Sequence, residues 1–195
     1  MKQLRLIFED EPSDPLSAHY NYSSSEKKQL RMYSVDSSIN NDLWNKHQHK
    51  HSVYSSHRVD TAPFDSIVNK HKTPHALTLY SSSRHDPENL KNSEGIVHHP
   101  AYLSASTDKN VAHNMIKNNQ YDARGQEHQH IYKIHVPAGH PGAYVGEHSA
   151  MSHEKEFILP RGTNLRHIKS SKEHVSGEGF GDETWTRHTH EMEIA

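Results

Sequence analysis

At Pro74 the apolar pattern of this chain changes, and the change constrains the fold more than any other feature. Before it, apolar residues recur at helical spacing; after it, they alternate or form short runs bounded by turn residues. Ser23-x-x-Glu26 is a capping box, in which serine and glutamate satisfy each other's free backbone donors. It predicts a helix through Met32 or Tyr33. Asp36-Ser37-Ser38 offers a second N-cap, with Ile39, Leu43 and Trp44 spaced for a helix to about His47. A third helix starts near Ala62-Pro63, with proline in its first turn and Phe64, Ile67 and Val68 on one side.

Downstream, Ala76 to Tyr80 reads as a strand ended by Ser81-Ser82-Ser83 and Asp86-Pro87. Further strands are expected over Ala101 to Ser106, His130 to Val136, Ala143 to Val145, Glu156 to Leu159, Asn164 to Ile168 and Thr184 to Ile194. One helix interrupts them, capped by Asp108 and carrying Val111, Ala112, Met115 and Ile116. Helices first and strands afterwards indicate an α+β domain rather than a βαβ parallel sheet. A length of 195 residues suits one domain, expected over residues 23–195. Residues 1–22, acidic and proline-containing, are expected to be a poorly ordered lead-in.

Only 31% of the residues are hydrophobic and the mean hydropathy is −1.00, so the core must be lean and the loops many. With 22 Lys+Arg against 24 Asp+Glu and no basic stripe, nothing electrostatic suggests duplex DNA or a membrane surface. Cysteine is absent, which excludes disulfides, thiolate metal sites and a cysteine nucleophile. No apolar run has the length of a signal-peptide core or a membrane span, so a soluble protein is expected. Histidine is abundant at 21 residues, often paired, as in His47/His49/His51, His98-His99, His128/His130 and His188/His190. On a strand, His-x-His puts both rings on one face and can seed a metal site. No His-Glu-x-x-His helix or comparable ligand set closes around them, so no metal is assigned.

Two stretches carry chemistry. In Glu154-Lys155-Glu156-Phe157-Ile158-Leu159, two carboxylates spaced i, i+2 at a strand entrance are expected on one side, with a dry strand behind them. Such a pair suits a reaction that develops positive charge. One carboxylate holds a sugar hydroxyl and favours an oxocarbenium-like transition state, while the other orients an incoming guanidinium. In Leu103-Ser104-Ala105-Ser106, the two serines share a face and can brace a carboxylate or a ribose.

Taken in order, these motifs resemble the mono-ADP-ribosyltransferases of bacterial toxins and bacteriophages, from about Ser23 to the C-terminus. Tyr33 to Leu43 is similar to that family's helical tyrosine–serine–isoleucine–asparagine lead-in. Leu79-Tyr80 stands where the family's first core strand delivers its NAD-binding arginine. Leu103 to Ser106 is similar to the family's Ser-Thr-Ser strand, with Ala105 in the middle place. Glu154-x-Glu156 with Phe-Ile-Leu-Pro-Arg-Gly-Thr resembles the Glu-x-Glu turn and strand.

The resemblance implies two antiparallel β-sheets packed at a steep angle with N-terminal helices, and NAD as substrate in the cleft between them. It makes Glu156 the residue that holds the nicotinamide ribose and stabilises the oxocarbenium ion, and Ser104 its brace. Glu154 becomes the acceptor-orienting group, with arginine of a target protein as acceptor. Tyr80, Ser81, Ser104 and Ser106 would line the NAD site, and the loop from Val145 to His153, with Met151, would recognise the target. One departure stands out: Ser81 occupies the place of the family's arginine, and Arg84 is the nearest substitute for the NAD phosphates. The implied setting is the cytoplasm of a bacterial host, reached by expression there or by injection, or a place in the virion. Two other readings are a catalytically degenerate domain of this fold that binds a protein, and a His-rich metal-binding protein.

Overall fold

The computed structural model describes residues 14–36, 38–48, 60–83, 85–115, 120–121, 127–176 and 184–195. Three helices come first: α1 (Ser24–Tyr33), α2 (Ser38–Gln48) and α3 (Ala62–Lys70). Strands β1 (Leu77–Ser83), β2 (Ile96–His99) and β3 (Leu103–Ser106) then lead to α4 (Lys109–Asn114). The rest is β4 (Gln120–Tyr121), β5 (Glu127–Val136), β6 (Ala143–Tyr144), β7 (Glu156–Leu159), β8 (Thr163–Ser176) and β9 (Thr184–Ile194).

The capping box opens α1 as its sequence requires. The Ser23 amide donates to Glu26 Oε2 at 2.7 Å and the Glu26 amide to Ser23 Oγ at 3.3 Å. Lys70, at the end of α3, pairs with the same Glu26 at 2.9 Å and so ties the two helices. Packing begins before Ser23. Leu16, Tyr20 and Tyr22 are buried, and Tyr20 meets Phe157 edge-on at 6.0 Å. The expected lead-in is therefore part of the folded domain from Asp14 onward, and residues 1–13 lie outside the described residues.

The strands form one continuous sheet in the order β2-β8-β9-β5-β1-β3-β7-β6, with β4 on β5, where two antiparallel sheets were expected. Two features account for the difference. β1 bonds on both edges, to β5 along its whole length and to β3 at the single pair Tyr80↔Ser106. β9 runs parallel to β5, from Glu127↔Trp185 to His135↔Glu193, so the sheet is mixed. β1 also continues through Ser81 to Ser83, past its expected end, because the ladder to β5 holds as far as Ser83↔His130. Backbone pairing needs no apolar side chain, and here it overrides the turn-like serine run.

Leu79, Ile134, Phe157, Ile158, Leu159, Leu165 and Met192 are wholly buried. Each such side chain contributes about 1.5–3 kcal/mol, so a short list suffices for a lean core. An aromatic group sets α1 over β3. Tyr33 stacks on Phe64 at 4.5 Å, and both meet Tyr102 edge-on at 6.0 and 4.9 Å. The Tyr102 hydroxyl donates to Asp65 at 2.7 Å, and Arg161 clasps that carboxylate at 2.8 Å. The hydroxyl of Tyr33 is thereby fixed next to β3.

Candidate active site

Ser106 is the rung on which the site is built. It opposes Tyr80 of β1 on one side and Glu156 of β7 on the other. Around it lies a cavity of about 180 Å³ lined by Tyr80, Ser81, Ser82, Ser104, Glu154 and Glu156, with Val111, Ala112 and Met115 of α4 as its apolar wall. Ser81 and Ser82 also border a larger cleft of about 680 Å³, whose far side is Asn40, Trp44, His85, His99 and Tyr132. Glu154, Glu156, Ser104, Ser106, Tyr80 and Ser81 are thus brought together. Arg84 lies outside the described residues.

The two glutamates reach the cavity by a turn, and not by the strand pleat that the i, i+2 spacing suggested. Glu154 closes a 3₁₀ turn (Ser152–Glu154), and Lys155 sits in the left-handed region at φ 45° and ψ 47° before β7 begins. That conformation costs a non-glycine residue about 1–2 kcal/mol, and it persists only where the surroundings enforce it. Here the Ser106 hydroxyl donates to the Glu154 carbonyl at 2.7 Å, and the Val145 amide donates to the Glu156 carbonyl at 2.8 Å. Ser106 also accepts the Asp108 amide at 2.9 Å, so its hydroxyl braces the frame of the cavity.

Glu156 is 8% exposed, and its Oε2 has no hydrogen-bond partner among the described residues. Burial pushes its carboxyl up to about 7, and the charge of Glu154 acts in the same direction, while the Ser104 hydroxyl pulls it down. Ser104 Oγ lies 3.1 Å from the Tyr33 hydroxyl, which accepts the Asn40 side-chain amide at 2.7 Å. Asn40 is oriented in turn by the Tyr102 amide, which donates to its Oδ1 at 3.1 Å. The Asn40 donation leaves the phenol proton for Ser104, and the Ser104 proton is then free to face Glu156. Burial holds the Tyr33 phenol up near about 12, which keeps it a neutral donor.

Ser81 is committed elsewhere, because its buried hydroxyl donates to the Ser104 carbonyl at 2.7 Å and joins β1 to β3. The apolar wall has its own support. Fully buried Gln129 donates to the His113 carbonyl at 3.0 Å at the end of α4, and Arg187 donates to Gln129 Oε1 at 2.7 Å. That satisfies a helix-end carbonyl which would otherwise be left bare. The support went unread in the sequence, although a glutamine in phase with Ile131 on β5 is its signal. The loop from Val145 to His153 holds a 3₁₀ turn (Gly146–His148) and is pinned by the Ala150 amide, which donates to Ser34 Oγ at 3.0 Å. Met151 is exposed beside Glu154.

The chain matches the family model of the ADP-ribosyltransferase exoenzymes over residues 13–184. It belongs to that family. Membership makes it an NAD-using ADP-ribosyltransferase of the bacterial toxin type. No curated protein sequence matches it. Among solved structures it is similar to Plx2a, an ADP-ribosyltransferase toxin from Paenibacillus larvae, at 16% identity and TM-score 0.62 over 92% of each chain. It is also similar to C3stau2 from S. aureus with NAD, at 18% identity and TM-score 0.59 over 92% of each chain. The ADP-ribosyltransferase Vis in complex with agmatine aligns at 14% identity and TM-score 0.54, over 92% of this chain and 79% of that one. At these identities the structures speak for the fold. No helix among the described residues is long and apolar enough to cross a membrane.

Proposed function

We propose that this cavity and the adjoining cleft bind NAD and transfer its ADP-ribose to an arginine side chain of a target protein. The observation that carries the reading is Glu156, a buried carboxylate with one unpartnered oxygen, set beside Ser104 and the second carboxylate of Glu154. An unpaired buried oxygen is costly unless a ligand hydroxyl completes it, and a ribose hydroxyl has the right chemistry. As the bond from the anomeric carbon to nicotinamide breaks, neutral nicotinamide leaves with the electron pair. The Glu156 charge stabilises the oxocarbenium ion that remains. A guanidinium nitrogen then bonds to that carbon and releases one proton, with Glu154 holding the guanidinium in place. Agmatine, bound by the related Vis, carries the same guanidinium and supports this choice of acceptor. The exposed Met151 and its loop stand beside Glu154, where a target would approach.

A second reading has an observation of its own. Among the described residues, neither the cavity nor the cleft is lined by a lysine or arginine, which favours a degenerate domain that binds a protein without turnover. Incubation with labelled NAD, agmatine and a bacterial lysate separates the two. The enzyme labels both acceptors, and Glu156→Gln lowers the rate by roughly 10²–10³. Glu154→Gln lowers transfer to agmatine more than hydrolysis of NAD. Absence of labelling together with absence of NAD binding would establish the degenerate reading.

A further inference from the structure

The parallel pairing of β5 with β9 interleaves their histidines. His128 Nδ1 lies 2.9 Å from His188 Nε2, and His130 Nδ1 lies 2.9 Å from His190 Nε2. The His130 ring stacks on His188 at 4.9 Å and on His190 at 5.2 Å. Asp86 approaches this ladder from the segment that follows β1. Its carboxylate and one nitrogen each of His130 and His190 lie within 4.8 Å of one another. His130 is 4% and His190 1% exposed, so the two imidazoles sit inside the protein, with Asp86 half-buried beside them.

We propose that Asp86, His130 and His190 bind a divalent transition-metal ion of the zinc class, which ties the segment after β1 to the β5–β9 pair. Two imidazoles and a carboxylate are donors that suit zinc, whereas magnesium and calcium take oxygen. The 2.9 Å approach of His130 Nδ1 to His190 Nε2 puts two nitrogen donors side by side, with the Asp86 carboxylate within reach of both. Asp86 Oδ1 accepts the Glu88 amide at 2.9 Å, which fixes the carboxylate. No lysine or arginine among the described residues pairs with that carboxylate, so its charge is open to a cation.

The surroundings also behave as an outer shell. Ser170 Oγ lies 2.8 Å from His190 Nδ1 and 2.9 Å from His167 Nε2, and His167 Nδ1 lies 3.1 Å from Glu88. This chain fixes the ring plane of His190 and leaves Nε2 as its metal-facing atom. Zinc–nitrogen bonds of about 2.0–2.1 Å in a tetrahedron set the nitrogens about 3.3 Å apart. The pair at 2.9 Å therefore needs to part by only about 0.4 Å. The fourth position is left to water. The role is structural: the clamp holds in place the strand end whose Ser81, Ser82 and Ser83 border the cleft.

The test uses untagged protein, stripped with a chelator, loaded with zinc, dialysed and assayed for retained metal and for thermal midpoint. Asp86→Asn keeps the acceptor for the Glu88 amide and removes the charged ligand. The wild type should retain one equivalent of zinc and melt higher with it. Asp86→Asn should lose zinc affinity by more than about 100-fold, since outer-shell partners alone are worth about 10–100-fold. Its midpoint without metal should match the wild type. With so many histidines elsewhere in the chain, the decisive quantity is this difference. Equal zinc affinity and equal thermal response in the two proteins would overturn the site. Loading the wild type with cobalt guards against a variant that fails to fold. A buried low-coordinate site gives intense visible absorption, and only the weak spectrum of surface-bound cobalt would also overturn the proposal.

Discussion

Replacing Glu156 by glutamine should change how stability depends on pH, by an amount that follows from its burial. The carboxyl moves from 4.5 to about 7 on folding because the low-dielectric cavity and the Glu154 charge disfavour its ionised form. The folded protein therefore holds this proton more tightly than the unfolded chain does. Between the two values it binds more protons, and stability falls as pH rises. The penalty is absent below about 4.5 and complete above about 7, where it reaches about 3 kcal/mol.

Glutamine removes that dependence and nothing else that titrates at this position. The constant cost of placing an amide by the unpartnered oxygen is the same at every pH, and it cancels when the two curves are compared. Urea denaturation of both proteins at pH 4.5, 6, 7 and 8 is the assay. The stability of Glu156→Gln relative to wild type should climb by about 3 kcal/mol across that range. Parallel curves would show that the carboxylate titrates normally and that its burial costs nothing. The reasoning that links it to a ligand hydroxyl would then fail.

The same shift should appear in the reaction: kcat/KM for transfer falls about tenfold per pH unit below about 7, as the required carboxylate is protonated, and a limb near 4.5 would contradict this. Tyr33→Phe keeps the stack on Phe64 but strips the partner from Asn40 and Ser104, so it should cost about 1–3 kcal/mol by urea denaturation and slow transfer by about tenfold. Lys155→Val puts a β-branched residue in the left-handed region and should destabilise by more than about 1 kcal/mol, whereas Lys155→Gly should be neutral or better; equal effects would mean that the turn at Lys155 is not strained.

What was legible in the sequence follows from where the signal is local. The capping box at Ser23 and Glu26 and the apolar spacing of Phe64, Ile67 and Val68 gave the helices, because those signals lie within a turn or two. The glutamate and serine motifs gave residues that the fold brings to one cavity. Strand β8 was read only over Asn164 to Ile168, yet it runs to Ser176. Its distal half is polar and exposed, and it is held by pairing with β9, a partner with no local trace. β2 went unread because four residues show no period. The turn at Lys155 was missed because a left-handed lysine leaves no mark in the sequence. Only the fold brings Asp86, which follows β1, to His130 and His190 of the β5–β9 pair.

The single pair Tyr80↔Ser106 explains why the site lies where it does. A strand that bonds to β5 along its whole length and to β3 at one rung leaves most of its second edge without a ladder. Bare backbone groups inside a domain must be satisfied by something. Facing that edge, serine hydroxyls take up carbonyls that a full ladder would use: Ser81 donates to the Ser104 carbonyl of β3, and Ser106 donates to the Glu154 carbonyl in the turn before β7. Where side chains stand in for a ladder the strands part, and the parting is the cavity. Ser81 in the family's arginine place thus has a structural task of its own. An arginine there would lose the bond that joins β1 to the Ser104 carbonyl of β3. Among the described residues no lysine or arginine lines the cavity or the adjoining cleft, in keeping with the bond that Ser81 makes across the rung.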